Sequence, residues 1–250
     1  MSMFDLSGTV AIVTGLSRGL GSGIALALAE AGADIFGVST KGAPETGAKI
    51  QALGRRYFEL CIDLSDCNAA EEIVKACIDA YGQVDILVNN AGAMRRAPAY
   101  EMSEKDWDHV VDVNLKSVFF LAQAAAKRMR EHGGGKIINL ASMLSYQGGI
   151  NVAGYTASKG GVKSLTMLLA NEWAKDGICV NAIAPGYMAT DMTEAIQNDP
   201  IRNSDILARI PKGRWGTPQD LGGAAVFLAS RASDYVTGIT IPVDGGWLAR

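Results

Sequence analysis

The stretch TGLSRGLGSG, residues 14–23, decides how this 250-residue chain is read. It follows a short apolar run, Val10 to Val13, and leads into an alanine-rich helical pattern, Leu20 to Ala31. Between a strand and a helix, glycines at 15, 19 and 21 permit positive φ and keep side chains away, while free amides at the helix N-terminus attract an anion. The ligand this implies is a pyrophosphate. The spacing is TGxxxGxG rather than GxGxxG, and a glycine-rich turn can also be purely structural, so residues elsewhere must decide.

Outward from that turn, apolar or β-branched runs recur at Ile35 to Val38, Tyr57 to Ile62, Val84 to Val88, Lys136 to Leu140, Ile178 to Ile183 and Ile239 to Val243. Helical patterns separate them: Pro44 to Leu53, Ala69 to Tyr81, Glu104 to Glu131, Ala157 to Lys175 and Pro218 to Ala229. Alternation of this kind predicts an α/β fold, a Rossmann-type doubly wound sheet of seven mainly parallel strands with helices on both faces. No linker, low-complexity stretch or repeat interrupts it, so residues 1–250 read as a single domain. Val111 to Ala126 and Val162 to Trp173 are apolar on nearly every face, which implies burial on two sides, by a second subunit or by a deep core.

Composition narrows the function. With 23 basic and 26 acidic residues the net charge is −3, which gives no reason to expect nucleic acid or an anionic membrane and favours a small-molecule ligand. Cys61, Cys67, Cys77 and Cys179 lack metal-ligand spacing, and His109 and His132 are remote from them, so reduced thiols in a cytoplasmic protein without a metal are expected. MSMFDLSG has no apolar signal core, and the uncharged segment Ile137 to Ser158 carries Asn139, Gln147 and Asn151, unlike a membrane span.

Further motifs occur in order along the chain: NNAG at Asn89 to Gly92, Asn114 in VNLKSVF, Ser142 in INLASM, YTASK at Tyr155 to Lys159, and NAIAPGY at Asn181 to Tyr187. Together with TGLSRGLG, this pattern resembles the short-chain dehydrogenase/reductase family over essentially the whole chain. The resemblance implies that Tyr155 is the general acid/base, that Ser142 binds the substrate carbonyl, and that Lys159 lowers the Tyr155 pKa and holds the nicotinamide ribose. Asn114 would place a water in the proton relay, or bridge backbone groups as a buried amide. The chemistry is coherent: hydride transfer to a ketone builds charge on oxygen, so one donor must protonate it and another stabilise it. Tyr155 and Lys159, four apart on a helix, share a face.

The same resemblance implies a dinucleotide held by Gly15, Ser17, Arg18, Gly19, Leu20 and Gly21 of the turn, and by Ser39 and Lys41 after the second strand. Asp63 and Leu64, then Asn90, Ala91 and Gly92, would line the adenosine side, with Pro185, Gly186, Met188 and Thr190 near the nicotinamide. Asp63 could equally cap the next helix. Where an acidic residue commonly binds the ribose of NAD stands Ser39, and Arg18 and Lys41 would attract a 2′-phosphate. The cofactor is NAD(H) or NADP(H), with a lean to NADP(H) from the charges.

Arg95 and Arg96 follow NNAG, and guanidinium groups match a carboxylate, so an acidic sugar is a sensible substrate. A basic pair on a surface loop is the plain alternative. GGKIINLASMLSYQGG, NVAGYTASK, NAIAPGYMAT, RIPKGRWGTPQDL and VDGGWLAR resemble the 2-dehydro-3-deoxy-D-gluconate 5-dehydrogenases, which interconvert keto and hydroxy forms of a sugar acid. Their LSRG counterpart is less basic, which bears on cofactor preference. Met143, Gln147 and Tyr187 join Arg95, Arg96, Ser142 and Tyr155 as substrate candidates, with Trp215 a further contact. The polar segment Gly186 to Arg214 is expected to be a mobile lid. By resemblance a homotetramer is expected. A β-ketoacyl thioester reductase, and a cofactor-binding protein without turnover, are the alternatives.

Overall fold

The computed structural model describes residues 2–66 and 68–250, so Cys67 lies outside the described residues. Strand β1 (Val10–Thr14) alternates its side chains between two layers. Ala11 and Val13 pack into one apolar core, whereas Val10 and Ile12 pack into another on the opposite face. A strand buried on both faces needs helices on both sides, and the rest of the chain supplies them. The first core takes Ile24 and Leu28 from α1 (Gly19–Glu30), and the second takes Ile73 and Cys77 from a helix further along.

In chain order there follow β2 (Asp34–Ser39), α2 (Pro44–Ala52), β3 (Tyr57–Cys61), α3 (Ala69–Tyr81), β4 (Ile86–Asn89), α4 (Glu104–Val111) and α5 (Ser117–Glu131). Then come β5 (Gly135–Leu140), α6 (Ala153–Trp173), β6 (Ile178–Pro185), α7 (Glu194–Gln197), α8 (Pro200–Arg209), α9 (Gly222–Ala229) and β7 (Thr240–Val243). The strand order is β3-β2-β1-β4-β5-β6-β7, and every pairing is parallel. The sheet is therefore wholly, not mainly, parallel. The order in which strands are added reverses between β1 and β4, and there the loops leaving the strand ends diverge to open a crevice. No described helix is long and apolar enough to cross a membrane.

Three elements depart from the sequence expectation. The helix expected over Glu104 to Glu131 is interrupted by a π-helical turn, Asp112–Lys116, in which the Ser117 amide bonds the carbonyl five residues back, at Asp112. Asn114 lies inside it. Helix α6 begins four residues before Ala157, which puts Tyr155 in its first turn. The polar stretch after β6 is not a structureless loop: α8 is capped by Asp199, whose carboxylate accepts from the Ile201 and Arg202 amides, and it buries Ile206. Ile196, Ile206 and Ile210 pack with Met143 and Trp247 in a small separate core.

Candidate active site

The turn after β1 is built by close backbone approach. Gly15 (φ +69°) and Gly19 (φ +58°) occupy the left-handed region that glycine tolerates. A Cβ at Gly15 would lie 2.8 Å from the Ala91 Cα, and one at Gly21 would strike the Gly15 carbonyl oxygen. Those two glycines are thus consumed by packing. At Gly19 a Cβ would meet only Thr190, at 3.7 Å, so this glycine faces the open side. No side chain caps α1 and no acidic residue lies in its first turn, which leaves its N-terminal amides available to an anion.

Thr14, quoted in the motif but given no task, locks this turn to the next one. Its Oγ1 accepts from the Asn90 and Ala91 amides at 3.0 Å each, while Asn90 Nδ2 donates back to the Thr14 and Gly15 carbonyls at 2.8 and 3.2 Å. Beneath them runs a buried amide ladder that sequence reasoning also missed. Asn89 Nδ2 donates to Asn139 Oδ1 at 2.9 Å, and Asn139 Nδ2 donates to Thr166 Oγ1 at 3.0 Å, which ties β4 and β5 to α6. A signal existed: an asparagine inside an apolar strand must find a partner when buried.

Ser142 stands just past β5 and Tyr155 and Lys159 on α6, so the three reach one end of the sheet from two elements. The Lys159 Nζ lies 5.7 Å from the centroid of the Tyr155 ring, on the same face of the helix. It donates to the Leu140 carbonyl at 2.5 Å, and burial pushes its pKa down to about 8. Ser142 Oγ accepts from the Leu144 amide at 3.1 Å, which leaves its hydrogen free to donate. Burial raises the Tyr155 phenol above its usual value, with the Ser142 hydroxyl and the Arg96 guanidinium pulling the other way. Burial thus outweighs any depression by Lys159, and the phenol is held neutral.

Both polar side-chain atoms of Asn114 bond within the protein, as the bridging alternative expects, while its Oδ1 keeps a second lone pair. Its Oδ1 accepts from the Ala93 amide at 2.7 Å, and its Nδ2 donates to the Ala93 carbonyl at 2.9 Å and to Ser158 Oγ at 3.3 Å. It acts as a brace between the β4 turn and α6. Asp63 Oδ1 accepts from the amide and hydroxyl of Ser65, which lowers its pKa and makes it a turn cap. Ser39 Oγ accepts from the Gly42 amide at 3.0 Å, while Lys41 is exposed beside it. Glu59 of β3 lies nearby, its Oε2 accepting from the Ala43 amide at 2.7 Å.

The two loop arginines separate. Arg95 lies 3.4 Å from Asp106 and donates to its own loop at the Met94 carbonyl. Arg96 has no acidic partner among the described residues, and its charge falls on Tyr155. Arg18, by contrast, is engaged: it pairs at 2.5 Å with Asp191, an exposed contact across the cleft from the turn to the segment after β6. Pro185 ends β6 and Gly186 packs on Asp244, while Met188 is buried and Tyr187 stacks edge-on against Trp215 and Trp247. Trp247 is another residue the sequence reading passed over. No group of metal-ligating side chains forms among the described residues.

Comparison with known proteins bears on this geometry. A family model described as enoyl-(acyl carrier protein) reductase matches residues 15–248. A 2-dehydro-3-deoxy-D-gluconate 5-dehydrogenase of Dickeya dadantii is 57% identical over 251 residues, covering 100% of this chain and 99% of that protein. The chain belongs to the short-chain dehydrogenase/reductase family. A crystal structure with bound NADP from Agrobacterium tumefaciens, provisionally named a 2-deoxy-D-gluconate 3-dehydrogenase, superposes with TM-score 0.95 at 53% identity over 100% of both chains. A gluconate 5-dehydrogenase from Burkholderia cenocepacia, in complex with NADP and tartrate, gives TM-score 0.94 at 39% identity over 99% and 98% of the two chains. In this chain, the turn after β1, the Ser142–Tyr155–Lys159 group and the loop arginines after β4 all lie toward the carboxyl end of the strands.

Proposed function

We propose that this protein is an NADP(H)-dependent oxidoreductase that interconverts a keto group and a secondary alcohol on a sugar acid of the 2-keto-3-deoxygluconate type. The observation that carries the substrate is Arg96, an unpaired guanidinium acting on Tyr155 from the loop after β4. Relatives named for sugar acids support the same choice. NADP(H) is supported by Arg18 and Lys41 at the outer rim, by the uncapped N-terminus of α1, and by NADP in the related crystal structures.

The open side of Gly19 and the amides of α1 would hold the diphosphate, Arg18 the 2′-phosphate on leaving Asp191, and Lys159 the nicotinamide ribose. Asn90, Ala91 and Gly92 would line the adenosine side, with Pro185, Gly186, Met188 and Thr190 opposite. When bound, the nicotinamide supplies or accepts the hydride at the substrate carbon. Tyr155, kept neutral by burial, gives its phenolic proton to the substrate oxygen during reduction. Ser142 donates to that oxygen and stabilises the charge that builds there. Lys159 then makes the phenolate easier to form and helps to replace its proton; with a pKa near 8 it is mostly charged at neutral pH. Asn114 serves as a positioning residue through Ala93 and Ser158. Met143, Gln147 and Tyr187 form the far wall of the substrate space.

We also propose that residues 1–250 act as one dinucleotide-binding and catalytic domain in a cytoplasmic homotetramer. Exposed Phe120, Met167 and Leu168 on α5 and α6, and an apolar groove between those helices, support subunit contact. The thiols of Cys61, Cys77 and Cys179 are free, which suits a reducing compartment.

The test follows NADPH oxidation with a keto sugar acid and with a neutral keto sugar of equal length. Losing a charged hydrogen bond at Arg96→Gln should raise KM for the acid about 10- to 100-fold and leave the neutral sugar nearly unchanged. Arg95→Gln should do little. Equal effects of Arg96→Gln on both substrates would refute the assignment.

A further inference from the structure

The segment after β7 brings Trp247, 5% exposed, to the edge of the substrate space. The Arg209 guanidinium of α8 lies over its ring, 4.0 Å from the centroid. The Trp247 indole N–H donates to Gln147 Oε1 at 3.1 Å, and Arg209 Nη2 donates to the same oxygen at 3.4 Å. Neither group can accept a hydrogen bond, so the reverse amide orientation would set an NH2 against two donors. Gln147 is thus held with Oε1 inward and Nε2 outward. Among the described residues, no buried side-chain nitrogen lacks a partner, and Nε2 has none within the protein, so it reaches solvent. The residue belongs to the Ser142–Gln147 turn, whose Met143 packs with Trp247.

We propose that Trp247 and Arg209 are positioning residues that lock Gln147 as a hydrogen-bond donor to an acceptor oxygen on the substrate chain, beyond the reacting carbonyl. This rests on the substrate role proposed for Gln147 above. It gives α8 a purpose: Arg209 makes the seating of that helix and the orientation of Gln147 one event.

Trp247→Phe keeps an aromatic ring for Arg209 to lie over and removes the indole N–H together with part of the fused ring. With a hydroxylated keto sugar acid its KM should rise about five-fold, the worth of one hydrogen bond, while kcat stays within about two-fold. A short keto acid without distal hydroxyls should show no change. In a Gln147→Ala background, Trp247→Phe should add nothing further. Additive effects, or a parallel fall of kcat on both substrates, would overturn the proposal. If Gln147→Ala raises KM but Trp247→Phe does not, the positioning role alone fails; if Gln147→Ala leaves KM unchanged, the substrate role of Gln147 fails with it. A readout without substrate is the indole N–H resonance of Trp247, one of four tryptophans. It should shift on Gln147→Ala, and an unmoved signal would also overturn the proposal.

Discussion

Replacing Lys159 with methionine should separate stability from activity in a pH-dependent way. Lys159 is 4% exposed, and burial moves its pKa from 10.5 to about 8. At about 1.4 kcal/mol per pH unit, the native state carries a penalty on the order of 3 kcal/mol for holding the ammonium. Below pH 8 both native and unfolded lysines are protonated, and the penalty is present in full. Between pH 8 and 10.5 the native lysine sheds its proton first, the unfolded state binds more protons, and wild-type stability rises relative to methionine. Lys159→Met escapes the penalty but leaves the Leu140 carbonyl without its donor, at about 1–3 kcal/mol. At pH 7 the variant should therefore be no less stable than wild type, and its relative stability should fall by on the order of 3 kcal/mol by pH 10.5. Other titrating groups are common to both proteins and cancel in the difference. Urea unfolding at matched protein concentration, read by circular dichroism at several pH values, measures it. A difference that is flat with pH, or that moves the other way, would refute the burial argument for Lys159.

Two more substitutions address the cleft. Thr14→Val keeps the shape of a buried side chain but removes the acceptor for the Asn90 and Ala91 amides; it should cost about 1–3 kcal/mol and weaken NADPH binding, whereas Thr14→Ser should keep both. Thermal unfolding and fluorescence titration with NADPH check this. Arg18→Gln breaks an ion pair whose side chains are 76% and 65% exposed, so stability should change by less than about 0.5 kcal/mol. Its kcat/KM for NADPH should nevertheless fall about ten-fold relative to NADH, a ratio that steady-state assays with each cofactor give directly.

What was legible in the sequence follows from local rules. The apolar run Val10 to Val13, the glycine turn and the i, i+4 placement of Tyr155 and Lys159 are all properties of a few adjacent residues, and they stand in the structure as read. The π-helical turn at Asp112–Lys116 escaped because one extra residue in a turn barely disturbs apolar periodicity in VDVNLKSVF. Helix α8 escaped because PIRNSDILAR is polar, and its anchors, Ile206 and the adjoining Ile210, become meaningful only once Trp247 arrives from the other end of the chain. The remaining misses are pairings over long sequence separations. Arg18 with Asp191, and Gln147 with Trp247, depend on the tertiary fold that brings them together. The raised Tyr155 pKa has the same origin, since burial is a property of the packed chain and outweighs any one neighbour.

The most direct test of the account removes a single oxygen. Tyr155→Phe should lower kcat on a keto sugar acid by about 10²- to 10⁴-fold, the usual worth of a general acid, while the NADPH dissociation constant stays within about two-fold of wild type. Turnover that survives the loss of the phenol, with cofactor binding intact, would contradict the assignment of Tyr155 as the proton donor.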